Sequence, residues 1–143
     1  MDNCIFCDIV SGRVEAAVVF EDEVSLAFLD RRPLCPGHVL LVPREHHVTL
    51  MDLPAELVGP LFLKAQQIAR ALELALDAEG IFMGNNNRIS QSVPHLHLHL
   101  VPRHKGDGLK GFFWPRRNYD SAAAMEETAE RIRQALKALQ EAG

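Results

Sequence analysis

Hydrophobic and polar positions follow two periods along this chain. Short runs rich in valine and leucine occur at AAVVFEDE, VSLAFLD and GHVLLVPR, the first two meeting at an acidic turn and the third stopped by Pro43. Runs of this kind, bounded by turn residues, predict three strands. From about Pro54 to Leu76 the period lengthens, with Leu61, Ala65, Ile68, Leu72 and Leu76 three or four residues apart. That predicts a helix, and Pro60 should set its start or kink an earlier turn. IFMGN predicts a fourth strand ending at Asn85-Asn86-Asn87, and the segment from His95 onward predicts a fifth. Over 121–141, Met125, Ala129, Ile132, Leu136 and Leu139 step by four, three, four and three, the stripe of a C-terminal amphipathic helix. The order β-β-β-α-β-β-α predicts a single α+β domain over 1–143, an antiparallel sheet of about five strands with helices on one side.

The stretch VPHLHLHLVPR sets His95, His97 and His99 at every second position. On a helix these side chains would scatter. On a strand they share one face while Leu96, Leu98 and Leu100 share the other, so the leucines belong to the core and the imidazoles to a cleft or surface. Pro94 and Pro102 should bracket the strand. The residues themselves leave three uses open. The row is a solvated polar face, or a catalytic metal site built on His-x-His with a further ligand. In the third, one neutral imidazole is a nucleophile and its neighbours position and protonate the reacting groups. Imidazole attacks phosphorus well and leaves it well, so a phosphoryl or nucleotidyl group suits that use.

Composition narrows the setting. A chain of 143 residues, 48% hydrophobic and 24% charged, is an ordinary globular mixture long enough for one real core. No apolar run reaches the length of a membrane span, and MDNCIFCDIV lacks the pattern of a signal peptide, so a cytoplasmic protein with no membrane partner is expected. A formal net charge of −4 argues against a nucleic-acid partner. Arg103, Lys105, Lys110, Arg116 and Arg117 stand against the single acid Asp107, either as a solvated loop or as an attraction for an anionic substrate. Cys4-Ile-Phe-Cys7 suggests metal binding or redox chemistry in a reducing compartment, with packing against an apolar wall as the alternative. Cys35 has no partner nearby in sequence and reads as a small packed side chain.

His95-Leu96-His97-Leu98-His99-Leu100-Val101 fits the signature of the histidine triad (HIT) hydrolases and transferases at every position. CIFCDIVSG, VVFEDEVSLAFLD, PGHVLLVPREHH and NNNRISQSVPHLHLHLVPR resemble that family's blocks in the same order. The resemblance implies a HIT-like fold, a homodimer with a sheet continuous across its interface, and a purine nucleotide cleaved at its α-phosphorus. No catalytic metal or organic cofactor is implied. The nucleophile's role falls on His97, phosphate contact on His99, and orientation of the nucleophile's ring on His38. Gln91, Ser92 and Asn86 match the polar groups around the phosphate, in a loop shorter here than in many relatives. Asp30 matches the acid that binds the ribose; on the residues alone, a strand-end turn residue is an equal reading. Ile5, Phe6, Ile9 and Phe28 match the wall around the base, which patterning alone would assign to the core. Some bacterial members carry a structural zinc whose ligands match Cys4, Cys7, His46 and His95, with His47 as an alternative to His46. FFWPRR and the final helix read as a subfamily feature. Nucleoside phosphoramidates and dinucleoside polyphosphates are the two substrate classes the resemblance implies, and a basic run that could steer extra phosphates with a Trp114 that could stack a second base tilts the expectation toward the second.

Overall fold

A computed structural model describes residues 3–110 and 115–143. The chain divides into two compact units, Met1–Asp107 and Gly108–Gly143. In the first, a short helix α1 (Ile5–Val10) precedes strands β1 (Val18–Glu21), β2 (Ser25–Leu29) and β3 (Val39–Pro43). A 3-10 turn, Leu50–Asp52, leads into α2 (Ala55–Leu76), followed by β4 (Gly80–Gly84) and β5 (Leu98–Arg103). The strands form one sheet in the order β1-β2-β3-β5-β4 with every neighbouring pair antiparallel.

β2 and β3 are apolar at nearly every position because both faces of the sheet are covered. Ala27, Val39 and Leu41 pack with Leu61, Ala65, Ile68 and Leu72 of α2, together with Leu96, Leu98 and Leu100. Leu26, Phe28, Leu40 and Val42 point the other way, onto Phe6 and Ile9 of α1. The expectation of helices on one side is therefore corrected. The six residues of α1 are too few to show a helical period, yet they roof the opposite face. The Cys4 thiol caps that helix, accepting from the Cys7 amide at 3.3 Å.

Two proline expectations also change. Pro60 lies inside α2, which runs on through it. The missing N–H costs one hydrogen bond near the first turns, outweighed by the burial of Leu61, Ala65 and Ile68. Pro102 lies within β5 and pairs with Ile81 of β4 instead of ending the strand. On its other side the pairing with β3 stops at Leu100, so no ladder bond needs its N–H. The carbonyl of Pro102 there accepts from the Cys35 thiol at 3.3 Å, which gives that cysteine its packed place.

In the second unit, α3 (Ala122–Ala142) starts where Ser121 Oγ accepts from the Ala124 amide at 3.0 Å. Its predicted stripe forms as a helix face, and Met125, Ile132, Leu136 and Leu139 are all at least half exposed. Trp114, with Phe112 and Phe113 before it, lies outside the described residues.

Candidate active site

The three histidines divide between two sites. His95 and His97 precede β5 and His99 lies on it; Leu96, Leu98 and Leu100 are buried in the core as their alternation requires. His95 is fully buried and His97 only 4% exposed, so the row is not a solvated face.

His97 lines a cavity of about 320 Å³ together with His99, Ser92, Asp30, Phe6 and Phe28. Ile5 and Ile9 complete its apolar wall, and the Phe6 ring meets the His97 ring edge-on at 5.0 Å. The fold thus brings together the four apolar residues, the acid and two of the histidines that the sequence suggested. Asp30 also performs the turn role: its Oδ1 accepts from the Arg32 amide at 2.9 Å, while Oδ2 lies 3.8 Å from His38 Nε2. Leu40, Val93, Arg31 and Arg32 also line the cavity and were not anticipated. The only signal for the arginines was their place directly after Asp30.

Backbone groups settle the neutral histidine tautomers. Nδ1 of His97 lies 2.7 Å from the His95 carbonyl, which can only accept, so Nδ1 carries the proton and Nε2 keeps its lone pair. The Leu34 amide donates to Nδ1 of His38 at 3.1 Å, so Nε2 of His38 carries the proton and donates to Nδ1 of His99 at 2.9 Å. His99 is then left with a proton on its own Nε2. His38 therefore engages His99, and the Nδ1 of His97 is engaged by the His95 carbonyl. Gly37 makes the His38 turn possible. Its φ is +97°, and an added Cβ would lie 2.3 Å from Leu76 Cδ1 and 3.1 Å from Pro102 Cγ.

Burial lowers the pKa of His97 below the ordinary imidazole value, against partial compensation from the His95 carbonyl and Asp30. Burial, followed by the neighbouring His97 and His38, pushes His99 down to about 4. His38 is lowered by burial, with Asp30 opposing. Three imidazoles are thereby held neutral near neutral pH.

Asn86 and Gln91 do not line the cavity. The Asn86 amide donates to the Ser90 carbonyl at 3.1 Å, and Gln91 is held at both ends by the Val48 carbonyl and the Arg88 amide. Asn87 accepts from the Leu50 amide at 2.8 Å. These side chains fasten the loop to the 3-10 turn because Arg88 and Ser90 adopt left-handed backbone conformations that need such support.

His95 turns to a second site. Its Nε2 donates to the Pro43 carbonyl at 2.8 Å, leaving the Nδ1 lone pair 3.4 Å from Cys4 Sγ and 3.6 Å from Cys7 Sγ. Cys7 Sγ is also 3.2 Å from Nδ1 of His46. These four donor atoms all lie within 4.8 Å of one another and could hold a metal ion. Tetrahedral zinc with Zn–S near 2.3 Å and Zn–N near 2.05 Å requires S···N edges of about 3.5 Å. The donor set fits. His47 instead reaches Glu45 at 3.2 Å and is no part of it. Because His95 faces the cysteines, the triad does not converge on one metal as a three-histidine site would require. Without an ion, burial and the adjacent Cys4 raise the Cys7 thiol to about 11.

The sequence profile of the HIT domain matches residues 11–106. The chain belongs to the HIT domain family. It is 40% identical over 116 residues to the protein named hit of Bacillus subtilis, covering 79% of each chain. To adenosine 5'-monophosphoramidase HNT1 of Saccharomyces cerevisiae it is 34% identical over 119 residues, 82% of this chain and 73% of that one. Among solved structures, SMU.412c of Streptococcus mutans superposes with a TM-score of 0.87 at 36% identity, covering 95% of this HIT chain and 87% of the other. A Zn-bound histidine triad family protein of Mycobacterium smegmatis matches with a TM-score of 0.72 at 40% identity, covering 99% and 98%.

Proposed function

We propose that the chain is a nucleotide hydrolase that cleaves a purine nucleotide conjugate at its α-phosphorus through a covalent intermediate on His97. The observation that carries this reading is the His97 Nδ1–H bond to the His95 carbonyl, which reserves Nε2 as a lone-pair nucleophile in an apolar cavity. In the first step Nε2 attacks phosphorus, a P–N bond forms, and the bond to the leaving group breaks with its electron pair. The Nε2–H of His99 donates a hydrogen bond to the departing group, which takes its proton from solvent, so that His99 stays neutral throughout. In the second step water attacks phosphorus, the P–N bond breaks with its electron pair returning to His97 Nε2, the water's proton passes to solvent, and the nucleoside monophosphate and free His97 are released. Ile5, Phe6, Ile9 and Phe28 sandwich the base, Asp30 accepts from the ribose hydroxyls, and Ser92 bonds the phosphate. In this reading Gln91 and Asn86 shape the phosphate loop from outside the cavity.

The yeast relative's name supports a mononucleotide conjugate such as a phosphoramidate as the substrate class. Dinucleoside polyphosphates and phosphorolysis are the competing arms of the test. Cys4, Cys7, His46 and His95 would hold a structural zinc, a reading supported by the donor geometry and by the Zn-bound neighbour. Zinc would tie α1, and with it the base wall, to the segment carrying His97. Among the described residues no helix is long and apolar enough to cross a membrane. A homodimer is the assembly this reading takes from the resemblance.

The test is intact-mass spectrometry of wild type and His97→Ala after rapid quenching with adenosine 5′-phosphoramidate and, separately, diadenosine tetraphosphate. An adenylyl adduct on wild type and none on the variant is expected, with faster turnover of the phosphoramidate. Undiminished turnover by His97→Ala would sink the covalent mechanism.

A further inference from the structure

Two guanidinium groups at the cavity are unmatched by any carboxylate. Arg31 and Arg32 both line it beside Asp30, both are exposed, and among the described residues neither side chain has an ion pair or hydrogen bond. By contrast Arg13, Arg44 and Arg103 of the same unit pair with Asp8, Glu21 and Asp107. Arg31 also borders an adjoining surface depression with Glu15 and Ala17, which places it at the rim of the cavity.

The backbone that presents them is fixed. The Arg32 amide donates to Asp30 Oδ1 at 2.9 Å, and the Asp30 amide donates to the His38 carbonyl at 2.9 Å. Pro33 follows, and the Leu34 amide is spent on His38. The loop that aligns His38 with His99 therefore also aligns the two arginines. Arg31 and Arg32 bring two guanidinium groups to the lining beside a single carboxylate, Asp30. A guanidinium beside apolar walls binds a phosphate in planar, two-pronged fashion more strongly than it does in open water.

We propose that Arg31 and Arg32 form an anion subsite for a second phosphate of the nucleotide, distinct from the phosphate that His97 attacks. The proposal rests on the nucleotide reading of the cavity given above. Such a phosphate has two sources: a 2′- or 3′-phosphate on the ribose next to Asp30, or a further phosphate of a 5′ chain.

Calorimetric binding of adenosine 5′-monophosphate, adenosine 2′,5′- and 3′,5′-bisphosphate and adenosine 5′-diphosphate tests it without needing turnover. The full chain is compared with Arg31→Ala/Arg32→Ala and with Arg31→Lys/Arg32→Lys. At least one doubly phosphorylated ligand binds wild type about tenfold or more tighter than the monophosphate. The double alanine variant removes that advantage and the lysine variant restores part of it. A gain confined to a bisphosphate assigns the ribose source, and one confined to the diphosphate assigns the chain. No gain in wild type, or a gain that survives in the alanine variant, overturns the subsite while monophosphate binding still stands. Failure of the monophosphate to bind overturns the nucleotide reading and the subsite with it.

Discussion

The backbone amide of Leu34 donates to Nδ1 of His38 across 3.1 Å, and that one bond sets the proton on every ring nitrogen up to the cavity. It leaves His38 Nε2–H to donate to His99 Nδ1 at 2.9 Å and reserves His99 Nε2–H for a substrate oxygen or leaving group. A hydrogen-bond donor aimed at a charge that develops in the transition state is worth about 10²–10³ in rate. His99→Ala should lower kcat by that order with adenosine 5′-phosphoramidate and by less with a leaving group that departs without a proton. Equal losses on both substrates would count against a donor aimed at the leaving group.

His38→Asn breaks the relay while leaving His97 and its carbonyl partner in place. We expect kcat to fall about tenfold to a hundredfold, within the span of a lost transition-state hydrogen bond, with KM changing little. A rise in KM at unchanged kcat would assign His38 to ground-state binding instead.

Burial of His97 moves its protonation below the ordinary imidazole range. The proposed nucleophilic role requires a neutral ring, so a lowered pKa would extend activity toward acid. The kcat/KM profile should therefore hold through about pH 6.5 and fall only below it. An acid limb centred above that value would be inconsistent with a buried imidazole nucleophile.

Stability carries a related signature at His99. Its folded pKa of about 4 lies beneath that of an unfolded imidazole, so the unfolded chain binds more protons between these values. The His99 contribution is fully present above about pH 6.5 and is lost as pH falls toward 4. Denaturant melts across this window should show declining stability, and His99→Asn should flatten the decline.

Cys4→Ser and Cys7→Ser test the second site through metal content and melting temperature. Wild type should carry about one equivalent of zinc, and each variant should lose it together with several degrees of Tm. Metal analysis finding no zinc in wild type purified without chelator would remove the structural-zinc reading, leaving the assignment of His97 unaffected.

The residues themselves determined a great deal. Strict alternation of His95, His97 and His99 with leucine can place the leucines in a core only as extended chain, and the buried leucines bear this out. Residue patterning located five strands and two long helices, with β2 and β3 as short continuous apolar runs and α2 and α3 as apolar stripes at helical spacing. The apolar wall of the cavity, its acid and the donor set of Cys4, Cys7, His46 and His95 came through resemblance, since residues up to 91 positions apart leave no local trace of meeting. Tertiary structure alone decided the rest. It showed that α1 covers the sheet's second face, which six residues cannot announce by period. It showed that Pro102 sits inside β5, because β3 has already ended beside it. It assigned His46 over His47, a choice made by ring direction that adjacent identical residues cannot encode. Above all it chose the histidine tautomers, which depend on whether a carbonyl or an amide faces each ring nitrogen, and the backbone supplies those groups only once the chain has folded.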